Sequence, residues 1–133
     1  MRLRRASARG RDLQEDIDIG LMRSTDGGRT WEPQRIIMDM HEYGGLPQEQ
    51  NGCSDPGIVV DPQTGEIFVA AVWTWGRPGT HQWSEGGSEP GFEIGKTAQF
   101  MMVRSTDDGQ TWSEPENLTR QLKEEAWILY APS

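Results

Sequence analysis

Arg23-Ser24-Thr25-Asp26-Gly27-Gly28-Arg29-Thr30-Trp31 returns later in the chain as Arg104-Ser105-Thr106-Asp107-Asp108-Gly109-Gln110-Thr111-Trp112, changed only at the fifth and seventh positions. Self-similarity of this kind marks a repeat architecture in which each repeat is one supersecondary unit. Each copy follows an apolar stretch rich in strand formers, Ile17–Met22 and residues 98–103, and the first copy is followed by Arg35-Ile36-Ile37-Met38. The order is strand, turn, strand. Within the turn, Ser and Asp side chains accept hydrogen bonds from nearby backbone N–H groups, Gly supplies a left-handed residue, and the closing Trp covers the hairpin. Asp26 and Asp107 are therefore expected to be structural, with Ser24, Gly28 and Trp31 and their counterparts Ser105, Gly109 and Trp112 completing the two tips.

Between the copies, Gly57-Ile58-Val59-Val60, the turn Asp61-Pro62-Gln63-Thr64-Gly65 and the run over residues 66–75 give a further hairpin. Residues 55–118 thus hold four strands in up-and-down order, one blade of a propeller, and residues 17–38 supply two strands of the blade before it. The expected fold is all-β, about one and a half blades of antiparallel strands, with Gly and Pro spaced too closely for a long helix. Residues 76–96, rich in Gly, Ser and Glu, read as a long loop inserted in the blade, and loops of that length are often functional.

Composition narrows the function classes. Only 34% of the 133 residues are apolar, a low share for a chain that must build a whole core alone. The longest apolar run, residues 67–73, falls far short of the about 20 residues a membrane helix needs, so no membrane span is expected. Net charge is −8, and residues 1–11 carry five arginines and no acid, which leaves the rest more acidic still and argues against a nucleic-acid partner. The basic start has no apolar stretch behind it, so no signal peptide is read there. Cys53 is the single cysteine and is read as a buried, inert thiol. His41 and His81 have no partner at metal-ligand spacing and receive no role. Glu15, Asp16 and Asp18 cluster without the spacing of an EF-hand loop; a solvated strand edge is preferred to a calcium site, and neither a metal nor another cofactor is expected.

The pattern Ser-x-Asp-x-Gly-x-Thr-Trp at residues 24–31 and 105–112 resembles the Asp box, or BNR repeat, of the sialidase (neuraminidase) family. Asp boxes also occur in non-catalytic propellers, so they bear on fold more than on activity. Two further stretches resemble bacterial-type exo-α-sialidases: Arg5-Ala6-Ser7 through Asp12-Leu13-Gln14-Glu15-Asp16-Ile17-Asp18-Ile19-Gly20, and Gln50-Asn51-Gly52-Cys53-Ser54-Asp55-Pro56-Gly57-Ile58-Val59-Val60-Asp61. Thr97-Ala98-Gln99 and Trp73-Thr74-Trp75 look similar to the same family, so the resemblance covers almost the whole chain. It implies part of a six-bladed β-propeller, with residues 1–16 as an active-site loop region, 17–38 as the end of one blade and 55–118 as the next.

The resemblance also implies roles. By spacing to the first box, Asp12 matches the family's general acid and base, with Asp16 as the rival position. Arg5, or Arg4, matches an arginine that helps bind the sugar ring, where a guanidinium offers several fixed donors. Asp55 matches an Asp presented to the ring, and Trp75, with Trp73 on the same strand face, is a candidate wall of the sugar pocket. Each has a structural alternative: a solvated loop Asp, a basic tail residue, an Asp capping a turn before Pro, a blade-packing aromatic. The family's nucleophile is a Tyr activated by a Glu, and three arginines bind the substrate carboxylate. No Arg-Ile-Pro motif is present, Tyr43 and Tyr130 match neither the place nor the context of the nucleophile, and the remaining groups are expected beyond Ser133.

The implied activity is that of a retaining exo-α-sialidase acting on terminal α-linked sialic acid, with this chain holding roughly the second quarter of the catalytic domain and inactive alone. The competing reading is a non-catalytic Asp-box propeller that binds glycans or proteins. Secretion or a periplasmic location is implied by resemblance only, and open sheet edges lead to an expectation of self-association.

Overall fold

The computed structural model describes residues 16–76 and 89–127, together with the backbone of residues 2–7. Among these the elements are strands β1 (Arg2–Ser7), β2 (Ile17–Met22), β3 (Arg35–Met38), β4 (Asn51–Val60), β5 (Ile67–Trp75), β6 (Gln99–Ser105) and β7 (Glu116–Asn117), a 3-10 turn at Gln48–Gln50 and a short helix, α1 (Thr119–Leu122). The chain is all-β, as the repeats require. No described helix is long and apolar enough to cross a membrane.

The strands β4, β5, β6 and β7 follow one another as antiparallel neighbours, which gives the four-stranded up-and-down unit expected over residues 55–118. The preceding unit has β2 at its centre, paired antiparallel with both β1 and β3. One parallel pair, Ile17 with Gly52, ties the two units into a single sheet. Two differences from expectation stand out. Residues 1–16, read as a loop region, begin as a strand, because the backbone of Arg2–Ser7 has β2 to pair with. Strand β4 starts at Asn51, before the turn-like Asp55-Pro56, and passes those two residues as a bulge opposite Ala71. Pro has no N–H to give to a ladder, so a bulge is where a strand accommodates it.

Alternation then builds the core. Ile17, Ile19 and Leu21 of β2, Ile67, Val69, Ala71 and Trp73 of β5, and Met101 and Val103 of β6 are buried, joined by Met38 and Cys53. Trp73, fully buried, meets Tyr43 edge-on at 5.2 Å between ring centroids. Burial pushes the Cys53 thiol far up, with the nearby Asp18 and Asp39 carboxylates adding to the shift, so the thiol stays protonated.

The Asp-box turns have one design twice. Asp26 Oδ1 accepts from the backbone N–H groups of Arg29 and Thr30, both at 2.9 Å, and its Oδ2 accepts from Thr30 Oγ1 at 2.6 Å. Asp107 accepts in the same way from Thr111 N at 2.8 Å and Thr111 Oγ1 at 2.5 Å. Ser24 Oγ takes the N–H of Gly28, as Ser105 Oγ takes that of Gly109, and the indoles of Trp31 and Trp112 donate to Gly28 O and Gly109 O at 3.2 Å. Thr30 and Thr111, through these bonds, hold the two Asp carboxyls down at about 2.

Candidate functional site

In an up-and-down sheet the connections alternate between its two ends. Both Asp-box turns and the Asp61–Gly65 turn lie at one end, where β2, β4 and β6 finish. At the other end lie Ser7 and Asp16, the connection that joins β3 to β4, and the ends of β5 and β6 at Trp75 and Gln99. The structural repeats thus lie at one end of the sheet, and Ser7, Asp16 and the described β3–β4 connection at the other.

That end is built around Asn51. Its Nδ2 donates to the carbonyls of His41 and Pro47, each at 3.0 Å, and its Oδ1 accepts from Trp73 Nε1 at 3.2 Å, so one buried amide pins the β3–β4 connection to the core. Tyr43 and Leu46 bridge across Gly44-Gly45, both with positive φ, and Ile94 lies so close to Gly44 that a Cβ there would clash with its side chain. The described part of the β5–β6 connection, residues 89–98, is thereby seated on the β3–β4 connection at Ile94. It is anchored in turn by Lys123, buried, whose Nζ donates to Gly91 O at 2.5 Å and to the carbonyls of Glu124 and Glu125.

Beside this frame sits a group that the sequence reading undervalued. Asp16, Asp18 and Asp39 bring carboxylate oxygens within 4.8 Å of one another. The pairing of Ile19 with Met38 sets Asp18 across from Asp39. Asp18 is half-buried rather than on a solvated edge; burial, the Asp39 and Asp16 charges and a hydrogen bond to Asp39 together push its carboxyl up to about 7. Gln48 Nε2 donates to Asp16 Oδ1 at 2.8 Å. His41, to which sequence spacing assigns no role, has Nδ1 3.2 Å from Asp39 Oδ1 and its backbone N–H 2.8 Å from the same oxygen. Three carboxylates this close offer oxygen ligands of the kind a hard cation takes. A shared proton between Asp18 and Asp39 relieves the same repulsion without any ion.

The residues expected from sequence are placed unevenly. Asp12 lies outside the described residues, as do Glu15, His81 and Tyr130. Arg5 pairs across β1 and β2 with Ile19, and Arg4 with Gly20. Asp55 is exposed on the β4 bulge with φ +54, its carboxylate accepting from Ser54 Oγ at 3.3 Å. Trp73 belongs to the core, where its indole N–H is used by Asn51. Trp75 packs partly buried against that core, and its Nε1 is buried without a hydrogen-bond partner among the described residues.

Comparison with known proteins agrees with this arrangement. A family model described as a BNR repeat-like domain matches residues 5–132. A protein named Sialidase from Bacteroides fragilis (strain YCH46) is 49% identical over 118 residues, 89% of this chain and 21% of that protein. A Sialidase from Micromonospora viridifaciens is 38% identical over 93 residues, 68% of this chain and 13% of that protein. Among solved structures, the Hadza microbial sialidase Hz136 is 51% identical with a TM-score of 0.79, over 90% of this chain and 23% of that one. An intramolecular trans-sialidase from Ruminococcus gnavus, solved in complex with oseltamivir carboxylate, has a TM-score of 0.63 over 90% of this chain and 45% of that one; at 16% identity it bears on the fold alone. The chain thus spans about a fifth or less of the sequence relatives named here. With a family model covering nearly its full length, the chain belongs to the BNR repeat-like domain family, and the relatives it resembles in sequence are sialidases.

Proposed function

We propose that this chain is part of the catalytic propeller of an exo-α-sialidase, a retaining glycoside hydrolase that removes terminal α-linked sialic acid from glycoconjugates. The observation that carries the reading is the 49% identity over 118 residues to a protein named Sialidase, which is more than a shared propeller fold demands. In this reading Asp12 protonates the leaving oxygen and later activates water, Arg5 and Asp55 hold the sugar ring, and Trp75 walls the pocket. The topology supports it: Ser7 and Asp16, the described residues that flank Asp12 in sequence, lie at the end of the sheet away from the Asp boxes. The exposed carboxylate of Asp55 is a group that a sugar hydroxyl can satisfy. Sialylated glycans are the partners, and a secreted or periplasmic location follows from the same reading. The edge of β4 beyond Gly52, where Ile58, Val59 and Val60 are exposed, supports self-association when the chain stands alone.

The test uses a chimera in which this chain replaces the matching segment of the Bacteroides fragilis relative. Asp12→Asn in that chimera should lower kcat on sialyllactose by about 10²-fold or more and spare aryl sialosides, whose good leaving groups need little protonation. Equal losses on both substrates, or none on either, would remove Asp12 from the role. Glycan binding that persists with no turnover in the unsubstituted chimera would favour a non-catalytic binding propeller.

A further inference from the structure

Strand β4 shifts its register at Asp55. Cys53 stands across from Trp73 in the buried row of the sheet, and an unbroken ladder would put Asp55 across from Ala71 in that same row. Instead Asp55 and Pro56 together oppose Ala71, and pairing resumes with Gly57 across from Ala70. Ile58 and Val60 then take the places across from Val69 and Ile67. One extra residue thus flips every later side chain and leaves Asp55 exposed rather than in the buried row.

A bulge of two residues against one closes with its first residue either near the right-handed helical conformation or, as a rule with glycine, in the left-handed one. Asp55 has taken the second, at φ +54°, although it carries a Cβ. The residue after it supplies the reason. A proline ring crowds the backbone N–H and Cβ of the residue before it, which disfavours the right-handed conformation there. Pairing on both sides of the bulge, Ser54 with Val72 and Gly57 with Ala70, keeps the strand from sliding out of this arrangement. A left-handed residue other than glycine is strained, and such strain persists where its surroundings over-determine it.

We propose that Pro56 is a positioning residue for sugar binding: by closing the right-handed form of the bulge it holds Asp55 in the left-handed one, and so sets the direction in which the carboxylate meets the sugar. The inference rests on the reading of Asp55 as a sugar ligand given above.

Two measurements test it. In melting of the full chain followed by circular dichroism, Asp55→Gly should melt about 2 °C above Asp55→Ala, because glycine takes the left-handed conformation without strain. In a Pro56→Ala background the right-handed bulge becomes accessible and the order should reverse, with Ala above Gly. The same order in both backgrounds would overturn the proposal. In the chimera with the Bacteroides fragilis relative, Pro56→Ala and Pro56→Val should each raise KM for sialyllactose about tenfold, the share of one hydrogen bond to a charged group, and leave kcat within about twofold. A chimera that is inactive before any substitution would refute the sialidase reading and the sugar role with it. An active chimera whose KM ignores both folded variants would refute Pro56 as a positioning residue alone.

Discussion

Asp18→Asn is expected to stabilise the protein, and to do so only where Asp18 would be charged. The folded-state value of about 7 lies above the ordinary 3.8, so the native protein holds a proton that the unfolded chain releases. The sign follows: the favourable state of Asp18 is fully present below about pH 4 and is lost as pH rises through about 7. At about 1.4 kcal/mol per pH unit the full displacement corresponds to about 4 kcal/mol, but the carboxyl is only half-buried and solvent screens it, which leaves about 2 kcal/mol. Asn keeps the shape and a hydrogen bond to Asp39 while removing the charge that Asp39 and Asp16 oppose. At pH 8 the variant should melt about 6 °C above the parent, given roughly 3 °C per kcal/mol for a chain of this size. At pH 4 the two should melt together. Melting curves followed by circular dichroism decide the matter, and a gain of equal size at both pH values, or no gain at pH 8, would show that like-charge repulsion at Asp18 is not the cause.

Other expectations follow from single contacts. Trp73→Phe removes the donor to Asn51 Oδ1 in a fully buried setting and should cost about 1–3 kcal/mol in urea unfolding, whereas an unchanged midpoint would show that Asn51 does not depend on it. Arg35→Ala leaves two carbonyls of the second Asp-box turn without their charged donor and should cost about 1.5–3 kcal/mol; a loss no larger than that of a neutral surface substitution would count against Arg35 as a tie between the two hairpins. Asp107→Ala should lower the melting temperature at neutral pH, and because the Asp107 carboxyl is held down at about 2, the gap to the parent should close as pH falls from about 4 towards 2. A gap that stays constant to pH 2 would mean that the carboxylate charge is not what binds the turn.

The parts of the fold legible in the sequence are those whose causes are local. The Asp box folds through bonds spanning four residues, from Ser24 to Gly28 and from Asp26 to Thr30, so its pattern of residue types is the structure. Ile17–Met22 reads as a strand because its apolar residues alternate, and it is one with those bounds. Strand β1 has no such pattern in Arg2-Leu3-Arg4-Arg5-Ala6-Ser7 and owes its form to pairing with β2, a tertiary cause. The Asp18–Asp39 pair was hidden for a related reason. Alternation puts Asp18 on the face away from Ile17 and Ile19, but the partner depends on a register that shifts at a bulge between Ile19 and Gly20. His41 reaches Asp39 from a backbone with φ +50, which no spacing rule anticipates. The roles of Arg5, Asp12, Asp55 and Trp75 came from resemblance alone, because a sugar site is assembled from distant connections.

The central proposal, that this chain is part of a sialidase catalytic propeller, is tested most directly by segment exchange. The Bacteroides fragilis relative, with its matching 118-residue stretch replaced by this chain, is assayed for release of free sialic acid from sialyllactose. The account predicts turnover within about tenfold of the unexchanged enzyme, since a retained catalytic geometry leaves the barrier nearly unchanged. A chimera that folds and binds sialyllactose but releases no sialic acid would contradict it.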